Sequence, residues 1–186
     1  MDKTINRCSW VNMNNPTYIR YHDEEWGVPQ HSDEALFEML ILECFQAGLS
    51  WECILNKREE FRSAFDSFDA EKISQYDESK CEKLLQNPGI IRNRLKIRAA
   101  VENSGVFLKI QKEYGTFDRY IWHFTEGNVI NESCDIRTTS PLSDKISKDL
   151  KKRGMKFVGS TTIYAYLQAI GVINAHMERC DKRGCI

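Results

Sequence analysis

Residues 36–51 read LFEMLILECFQAGLSW, and this stretch predicts the centre of the fold. Most of these residues are apolar, Ser32 just upstream is a favourable N-cap residue, and Gly48 is a helix terminator. A helix that is apolar nearly all round is normally buried. We therefore predict a central, buried helix that begins after Ser32 and ends near Ala47.

One acidic residue, Glu43, lies on the same face of this helix as Leu36, Leu40 and Ala47. A buried carboxylate without a partner is strongly destabilising. Glu43 must therefore be protonated, be paired with a cation such as an arginine from elsewhere in the chain, or face a polar pocket. The pattern alone leaves these alternatives open.

The remaining sequence is also helical in pattern, and we predict an all-α protein. Ser50 is a candidate cap of a second, amphipathic helix, and Asp69 and Asp77 are candidate caps of two short ones. Further helices are predicted from 93 to a stop at Gly115, and over 117–124, 143–154, 160–170 and 172–180, with a polar loop over 125–142.

Composition limits the class of protein without giving a function. The chain has 186 residues, of which 41% are hydrophobic and 28% charged, which is typical of a compact globular protein. It has no apolar run long enough to span a membrane and no secretory signal, so we expect a cytoplasmic protein with no membrane partner. The seven cysteines are odd in number and scattered, so we expect thiols or metal ligands, and nothing in the sequence requires more than a monomer.

The segment KLLQNPGIIRNRLKI, residues 83–97, has a Pro-Gly turn between two helical patterns and several basic residues after it. Because the formal net charge is −1, any nucleic-acid binding must come from a local patch such as this one. Backbone N–H groups at the start of the second helix could bind a phosphate, and the cations could neutralise others. On this segment alone, an ordinary helical corner with a solvated basic face is the favoured interpretation.

Four cysteine and histidine residues could form a metal site. His176 and Cys180 are four residues apart, which places them on one face of the predicted last helix, and Cys8 and His22 offer two more ligands near the other end of the chain. Together they could form a closed Cys2His2 site, which is structural in type. Spacing alone favours unrelated residues, and Cys185 is a competing ligand.

Aromatic residues are concentrated in NPTYIRYHDEEWGVP, residues 15–29, which we interpret as a loop. Tyr18, Tyr21 and Trp26 could line a slot for a flat ligand such as a nucleobase. They could equally cover the core beneath a loop, and taken alone the segment favours that simpler role.

Taken together, these features resemble a known family. The motifs RCSWV, YIRYHDEEWGVP, LFEMLILECFQAGLSW, ILNKREEFRSAF, GIIRNRLKI and KKRGMKFVGSTTIYAYLQAIGVINAH are similar nearly end to end to the bacterial 3-methyladenine DNA glycosylase I family, within the helix-hairpin-helix DNA glycosylase superfamily. The resemblance implies an all-α helix-hairpin-helix glycosylase fold with a zinc site that joins the N- and C-terminal segments. It also implies a structural Zn²⁺, with the matching ligands Cys8, His22, His176 and Cys180.

The resemblance assigns further residues to the base and to DNA. Glu43 would hydrogen-bond the methylated adenine as the catalytic residue, Trp51 would stack on it, and Tyr21 would complete the contacts, with Tyr18, Trp26 and Trp10 as further aromatic lining. The hairpin would contact the DNA backbone through Gly89, Ile90, Ile91, Arg92, Asn93, Arg94 and Lys96. Many relatives in the superfamily use an aspartate beyond the hairpin, but Glu102, Glu113 and Asp118 stand in no motif that supports this role.

The implied function is DNA repair. The enzyme would flip 3-methyladenine out of alkylated double-stranded DNA and hydrolyse its N-glycosidic bond, leaving an abasic site. We expect one glycosylase unit over 1–186, in which 1–31 and 155–186 form a zinc-stapled lobe on a helical core of 32–124. The alternatives are a zinc-stapled DNA-binding protein without catalysis and a zinc hydrolase, and four protein ligands on the metal argue against the second.

Overall fold

The computed structural model of the chain describes residues 5–132 and 137–184. Two three-residue 3₁₀ turns, Asp66–Phe68 and His123–Thr125, and two short strands, β1 (Ile130–Asn131) and β2 (Ile173–Asn174), accompany the helices. The α-helices of these ranges are α1 (Pro16–Glu24), α2 (Asp33–Gln46), α3 (Trp51–Leu55), α4 (Arg58–Ala64), α5 (Ala70–Ser74), α6 (Glu78–Gln86), α7 (Arg94–Tyr114), α8 (Phe117–Trp122), α9 (Pro141–Arg153) and α10 (Ser160–Ala169).

Helix α2 is the centre of the fold, as predicted. The Ser32 hydroxyl accepts a hydrogen bond from the Ala35 N–H at its start, and the helix ends at Gln46. Most of its side chains are fully buried, because α3, α7, α8 and α10 all pack around it. An apolar surface on every side is stable only in such a position.

The long helix α7 is also confirmed. The Asn93 side chain accepts a hydrogen bond from the Lys96 N–H, and the helix stops at Gly115, whose φ of 88° is accessible to glycine at little cost. One face of α7 packs on α5 and α6, and another packs on α2. The helix therefore connects the surface turn that precedes it with the central helix.

Two N-terminal boundaries differ from the predictions. The ring-rich segment predicted as a loop contains α1, because Asn15 caps the N–H groups of Thr17 and Tyr18 and Pro16 occupies the first helical position. Helix α9 begins at Pro141, ahead of the predicted Ser143, because the side chains of Ser140 and Ser143 form a reciprocal capping box.

The prediction of one helix after Ser50 is wrong. Ser50 caps α3, which ends at Leu55, and α4 begins separately at Arg58. The break lies at Asn56 and Lys57, whose backbone N–H groups still donate to carbonyls of α3. The amphipathic pattern continues across this break, so periodicity alone could not reveal it.

The predicted last helix over 172–180 is also wrong. Residues 173–174 form β2, which pairs in parallel with β1 through Ile130 with Ile173 and Asn131 with Asn174, and turns follow. The all-α prediction is therefore refined, because residues 5–132 and 137–184 form a mostly helical fold with one two-residue strand pairing. The predicted 125–142 loop contains β1, and its residues 133–136 lie outside the described ranges.

The two ends of the described chain meet. The Asn6 N–H donates to Asp181 Oδ2 at 3.0 Å, and the Asp181 N–H donates to the Asn6 carbonyl at 3.0 Å. This contact agrees with the predicted joining of the termini, while the division into a 32–124 core and a terminal lobe stays a prediction. No helix in 5–132 or 137–184 is both long and apolar enough to cross a membrane.

Candidate active site and metal centre

A cleft of about 220 Å³ opens between α1, α2, α3 and α10. We call it the aromatic cleft, and its lining residues are Trp10, Tyr18, Tyr21, Trp26, Glu43, Gln46, Trp51, Ala165 and Gln168. All six residues that the sequence assigned to the base lie in this lining. Binding sites for whole small molecules usually measure ~300–1,000 Å³, so the cleft suits a single small ring system.

The turn between α2 and α3 brings Glu43 and Trp51 together. Gly48 has a φ of +82°, which reverses the chain, and the Ser50 hydroxyl accepts from the Cys53 N–H to start α3 at once. Trp51 then lies against Tyr21 of α1, with 5.2 Å between ring centroids and an interplanar angle of 45°. Two rings from different helices thus form a wall beside the acidic side chain.

A second group of rings in the cleft comes from α1 and from the segments on either side of it. Trp10 packs on Tyr18 with 5.5 Å between centroids and on Trp26 with 4.8 Å. Trp10 is the most exposed of the three, at 37%. The mouth of the cleft is therefore apolar, aromatic and open to solvent on one side.

Glu43 is buried in the cleft with 3% of its surface exposed, and its Oε2 has no hydrogen-bond partner among the described residues. The alternative of an ion pair with an internal arginine is wrong for the described chain, since Glu43 forms no ion pair there. Burial alone raises the pKa of Glu43 from its ordinary 4.5 to about 8. The Glu43 carboxyl is therefore protonated at neutral pH until a ligand changes its surroundings.

A second polar atom in the cleft also lacks a protein partner. Trp51 Nε1 is buried with no acceptor among the described residues. Unsatisfied buried donors and acceptors are costly, and they are found where a ligand supplies the missing partner. The pKa of Tyr21 is raised well above its usual value by burial and by the nearby Glu43, so its hydroxyl stays neutral and can donate.

The sequence analysis missed three residues of the lining. Gln46 follows Glu43 by three positions on α2, and Ala165 and Gln168 share a face of α10, so helical spacing could have found Gln46 but not the other two. Leu49, in the turn between Glu43 and Trp51, is 39% exposed. An apolar side chain is therefore exposed on the segment that joins two residues of the lining.

Cys8, His22, His176 and Cys180 form one buried group, which we call the Cys/His cluster. Their candidate ligand atoms all lie within 4.8 Å of one another. The Cys180 sulfur is 3.5 Å from His22 Nε2 and 3.6 Å from His176 Nδ1, and the Cys8 sulfur is 3.6 Å from His176 Nδ1. The cluster could therefore hold a metal ion.

These spacings fit a tetrahedral ion. Zinc binds sulfur at ~2.3 Å and nitrogen at ~2.0–2.1 Å, so tetrahedral angles place a sulfur and a nitrogen ligand about 3.5 Å apart. The donor set of two thiols and two imidazoles is also one that zinc prefers. Four protein ligands would complete the coordination shell, which is the arrangement of a structural site.

Hydrogen bonds to residues outside the cluster orient the His22 ring. Its Nδ1 lies 2.8 Å from Asp23 Oδ1, which leaves Nε2 for the cluster, and Arg7 holds Asp23 through its Nε and Nη2 at 2.6–2.9 Å. Burial lowers the pKa of His22 and, to about 4, that of His176. Both rings are therefore neutral, which is the form that binds metals.

His176 and Cys180 do not share a helical face, contrary to the prediction. They lie in the turns after β2, where the Cys180 N–H donates to the Met177 carbonyl. The chain fold, not helical periodicity, brings their side chains together. Cys185 lies outside the described residues.

Residues 87–93, which we call the 87–93 turn, connect α6 to α7. Lys57 Nζ lies 3.2 Å from the carbonyls of both Pro88 and Gly89, and the Gly89 N–H donates to Asn87 Oδ1 at 2.8 Å. A Cβ at Gly89 would lie 2.7 Å from Glu60 Oε2, so a larger residue there would displace that side chain. The conformation of the turn is thus held by Lys57, the residue before α4, as well as from within.

The basic residues around this turn differ in their environments. Arg92 is exposed and has no ion pair within the described ranges, whereas Arg94 pairs with Glu78 and Glu82. The backbone N–H groups of Arg92, Arg94 and Leu95 have no acceptor in the described chain. They are available to a phosphate in the way that helix N-termini commonly bind anions.

The side chains of Lys96 and Ile90 are buried and therefore cannot contact DNA directly. Lys96 is only 7% exposed, and its Nζ donates to the carbonyls of Phe45 and Ala47 at the end of α2. Ile90 is 3% exposed and belongs to the core. We therefore correct the predicted DNA surface by removing these two side chains, because both face the interior of the protein.

The acidic residues beyond the 87–93 turn are engaged elsewhere. Glu113 pairs with Arg153, and Asp118 Oδ1 lies 2.7 Å from His31 Nδ1. Glu102 is exposed on α7. None of the three lines the aromatic cleft, so Glu43 is the only carboxylic acid among the lining residues.

Comparison with known families and curated sequences gives a consistent result. The family model described as methyladenine glycosylase matches residues 10–183. The chain is 43% identical over 183 residues to DNA-3-methyladenine glycosylase 1 of Escherichia coli (strain K12), covering 95% of this chain and 96% of that protein.

Solved structures agree with the sequence comparison. A crystal structure of 3-methyladenine DNA glycosylase I superposes with a TM-score of 0.91 at 44% identity, covering 95% of this chain and 98% of the other. A variant of 3-methyladenine DNA glycosylase I in complex with 3-methyladenine gives a TM-score of 0.92 at 34% identity, covering 96% and 98%. The similarity in fold therefore extends over nearly the whole of each chain.

Proposed function

The chain belongs to the methyladenine glycosylase family and acts in base excision repair as a hydrolase that releases 3-methyladenine from DNA, and we propose that it does so in the aromatic cleft. One observation carries this assignment of the site. Glu43 Oε2 is buried without a protein partner at the base of a cleft walled by rings. A buried acid without a partner destabilises the fold, and such acids are concentrated at sites that bind a ligand.

The charge of the substrate suits this acid. Methylation at N3 gives adenine a positive charge while the base is still attached to the sugar, and an ordinary adenine has no such charge. A cation beside Glu43 would favour the carboxylate over the protonated form, reversing the effect of burial on its pKa. The exocyclic amino group of the base could then donate to the carboxylate, and undamaged adenine would gain much less from this contact.

The aromatic rings supply the rest of the binding. A base that leaves the duplex loses its stacking, at a cost of a few kcal/mol, and the cost is least for a damaged base with impaired pairing. Trp51 and Tyr21, 5.2 Å apart, would replace that stacking inside the cleft. Leu49, exposed in the turn between Glu43 and Trp51, would contact the DNA that surrounds the extrahelical nucleotide.

Little further chemistry is required of the protein. The bond between C1′ and N9 breaks with its electron pair going to the positively charged base, which leaves as neutral 3-methyladenine. Water adds to C1′ and its proton is released to solvent, giving an abasic site. The protein's part is to hold the base and exclude competing partners, which is consistent with a cleft that contains one carboxylic acid.

We assign a structural zinc ion to the Cys/His cluster, on the basis of its donor set and its spacings. Cys8 and His22 would bind it from the N-terminal segment, and His176 and Cys180 from the C-terminal one. When bound, the ion would join these segments and add its binding free energy to the stability of the fold. It would take no part in hydrolysis, because four protein ligands leave no position for water.

The 87–93 turn, with α6 and α7, is the proposed helix-hairpin-helix element. Its unpaired N–H groups and Arg92 would bind phosphates of alkylated double-stranded DNA. Arg94 could exchange its exposed pairs with Glu78 and Glu82 for a phosphate at little cost, since exposed ion pairs contribute ~0–1 kcal/mol. We propose that the protein works as a monomer in the cytoplasm.

Base release from methylated duplex DNA tests the function directly. The wild-type protein should release 3-methyladenine, identified by chromatography, and Glu43→Gln should lower kcat/KM about 100-fold while the protein remains folded. The exposed Glu102→Gln is the matched control and should leave the rate unchanged. An excision rate of Glu43→Gln equal to that of the wild-type protein would contradict the assignment of Glu43 to the active site.

The two alternatives predict different outcomes in this assay. A DNA-binding protein without catalysis would bind the duplex and release no base. A zinc hydrolase would lose its activity in proportion to the metal removed, even under conditions in which the protein stays folded. Excision that persists in a folded, metal-depleted sample would therefore exclude a catalytic metal.

A further inference from the structure

Lys96 is the one cation of the basic segment that points into the protein. It lies in the first turn of α7, and its own N–H donates to the Asn93 side chain that caps the helix. Its side chain is 7% exposed, and Nζ donates to the Phe45 carbonyl at 2.8 Å and to the Ala47 carbonyl at 2.6 Å. A buried ammonium is tolerated only with such partners.

The two carbonyls that accept hydrogen bonds from Lys96 lie between Glu43 and Trp51 in the chain. They belong to the C-terminal end of α2, where the last carbonyls lack helical partners and carry partial negative charge. Glu43 lies two residues before Phe45, and Trp51 lies four residues after Ala47. Lys96 therefore holds the main chain between the acid and the stacking ring.

No helix cap of the usual kind is present at this end of α2. Ala47 is extended, with φ −45° and ψ 113°, and Gly48 follows with φ +82°. The Leu49 N–H closes the turn by donating to the Gln46 carbonyl at 2.7 Å, and the Gln46 side chain donates to the Leu49 carbonyl at 3.4 Å. The Phe45 and Ala47 carbonyls on either side take their hydrogen bonds from Lys96 of α7.

We propose that Lys96 is a positioning residue that couples the 87–93 turn to the aromatic cleft. Phosphate binding at the turn fixes the start of α7, and Lys96 transmits that position to the segment between Glu43 and Trp51. This inference rests on the proposed function, since it concerns how the proposed DNA contact and the proposed base site are held in register. It replaces the role of phosphate contact that the sequence suggested for Lys96.

Lys96→Met and Lys96→Arg test the proposal. Methionine keeps the apolar stem and removes both hydrogen bonds, whereas arginine can donate to both carbonyls. With saturating enzyme, single-turnover excision by Lys96→Met should fall about 10- to 100-fold, because small errors in position have effects of this size. Its affinity for undamaged duplex DNA should change less than about 2-fold, and Lys96→Arg should recover most of the rate.

Controls separate positioning from the other roles of a buried lysine. Ser147→Ala removes another buried hydrogen bond, from the Ser147 hydroxyl to the Val158 carbonyl at 2.7 Å, and should lower stability without changing the single-turnover rate. Hydrogen exchange of residues 46–51 should accelerate in Lys96→Met and not in Ser147→Ala. A DNA contact would instead show as weaker duplex binding with a reduced salt dependence.

The outcomes are decisive in either direction. A rate loss in folded Lys96→Met, with unchanged duplex affinity and rescue by arginine, would support the proposal. An unchanged rate, a loss of duplex affinity alone, or no rescue by Lys96→Arg would overturn it. Failure of the wild-type protein to release 3-methyladenine would instead refute the proposed function, so the two failures are distinguishable.

Discussion

The aromatic cleft and the Cys/His cluster are neighbours that share two rings, Trp10 and Trp26, yet most of their buried polar atoms are arranged in opposite ways. Trp26 lines the cleft and packs edge-on against His176, with 4.6 Å between centroids. In the cluster, sulfur and ring nitrogen atoms face one another at 3.5–3.6 Å, although the outer nitrogen of His176, Nε2, has no hydrogen-bond partner among the described residues. In the cleft, Glu43 Oε2 and Trp51 Nε1 face the opening with no protein partner.

This difference indicates that the Cys/His cluster suits a ligand that stays bound, whereas the aromatic cleft suits a ligand that exchanges. Burial favours the neutral form in both regions, raising the pKa of Glu43 to about 8 and lowering that of His176 to about 4. Neutral imidazoles that converge on one point suit a metal that stays bound. A neutral carboxyl beside an open cleft suits a substrate that enters and leaves, because a cationic base can ionise it during binding.

Loss of a ligand of the Cys/His cluster should have the largest effect. Cys180→Ser should reduce bound zinc, measured by elemental mass spectrometry, and lower the free energy of unfolding by about 5 kcal/mol or more, because metal binding contributes to folding. Cys81→Ser is the matched control, since Cys81 is buried to a similar degree, 6% against 5% exposed, outside the cluster. Equal losses of stability in both variants would contradict a metal-dependent fold.

The pH dependence of stability should separate Glu43 from ordinary acids. The folded-state pKa of about 8 exceeds the ordinary value of 4.5. The contribution of protonated Glu43 to the free energy of unfolding is therefore fully present below pH 4.5 and is lost as the pH rises to 8. Wild-type stability should therefore fall relative to Glu43→Gln between pH 5 and 8, by roughly 4 kcal/mol at ~1.4 kcal/mol per unit. Denaturant titrations at each pH measure the difference.

Glu102→Gln is the control for this measurement, because Glu102 is an exposed acid on α7. Its stability should follow that of the wild-type protein at every pH. Parallel curves for wild type and Glu43→Gln would mean that a partner compensates Glu43 in solution, and the contrast between the two regions would disappear.

Trp51 should affect base binding more than stability. Trp51→Ala should weaken binding of free 3-methyladenine, measured by calorimetry, by ~1–3 kcal/mol, which is the usual contribution of one stacked base. Trp51→Phe should lose less, because it retains a ring and loses only Nε1. Trp122→Phe, whose native Nε1 donates to the Gln30 carbonyl away from the cleft, should bind the base normally. Unchanged binding by Trp51→Ala would place the base elsewhere.

The smallest expected effect concerns Arg92. Arg92→Ala should weaken duplex binding a few-fold and lower the slope of log affinity against log salt by about one, as expected for one lost phosphate contact. Arg98→Ala, at a cation that pairs with Glu78 at 2.8 Å, is the matched comparison and should change the slope less. Equal slopes in all three proteins would argue against a phosphate at Arg92.

Local rules predicted the elements whose signals lie within a few residues. The apolar run of α2 with its cap at Ser32, and the long helix α7 between Asn93 and Gly115, were both correct. Helix α1 could also have been predicted, since Asn15 and Pro16 are a capping pair, but the density of rings suggested a loop. The strand pairing of Ile130 with Ile173 could not have been predicted, because a strand of two residues shows no periodicity in the sequence.

The sequence predicted six of the nine residues that line the aromatic cleft, but not the geometry of the cleft. Family motifs grouped the six residues of the proposed base site and the four proposed metal ligands, and the structure brings each group together. The predicted helical spacing of His176 and Cys180 was wrong although their convergence was right. Gln168 and the inward direction of Lys96 carried no signal in the sequence, because each depends on which helix lies opposite.

The sequence by itself determined that a helix around Glu43 must be buried and that its acid must be accommodated, since hydrophobic periodicity and desolvation are properties of a short segment. Only the tertiary structure decided how the acid is accommodated. Whether Glu43 meets an arginine or an open cleft, and whether Lys96 faces a phosphate or the end of α2, depends on the packing of segments distant in the chain. Desolvation and hydrogen bonding are set by those neighbours, which local sequence rules do not specify.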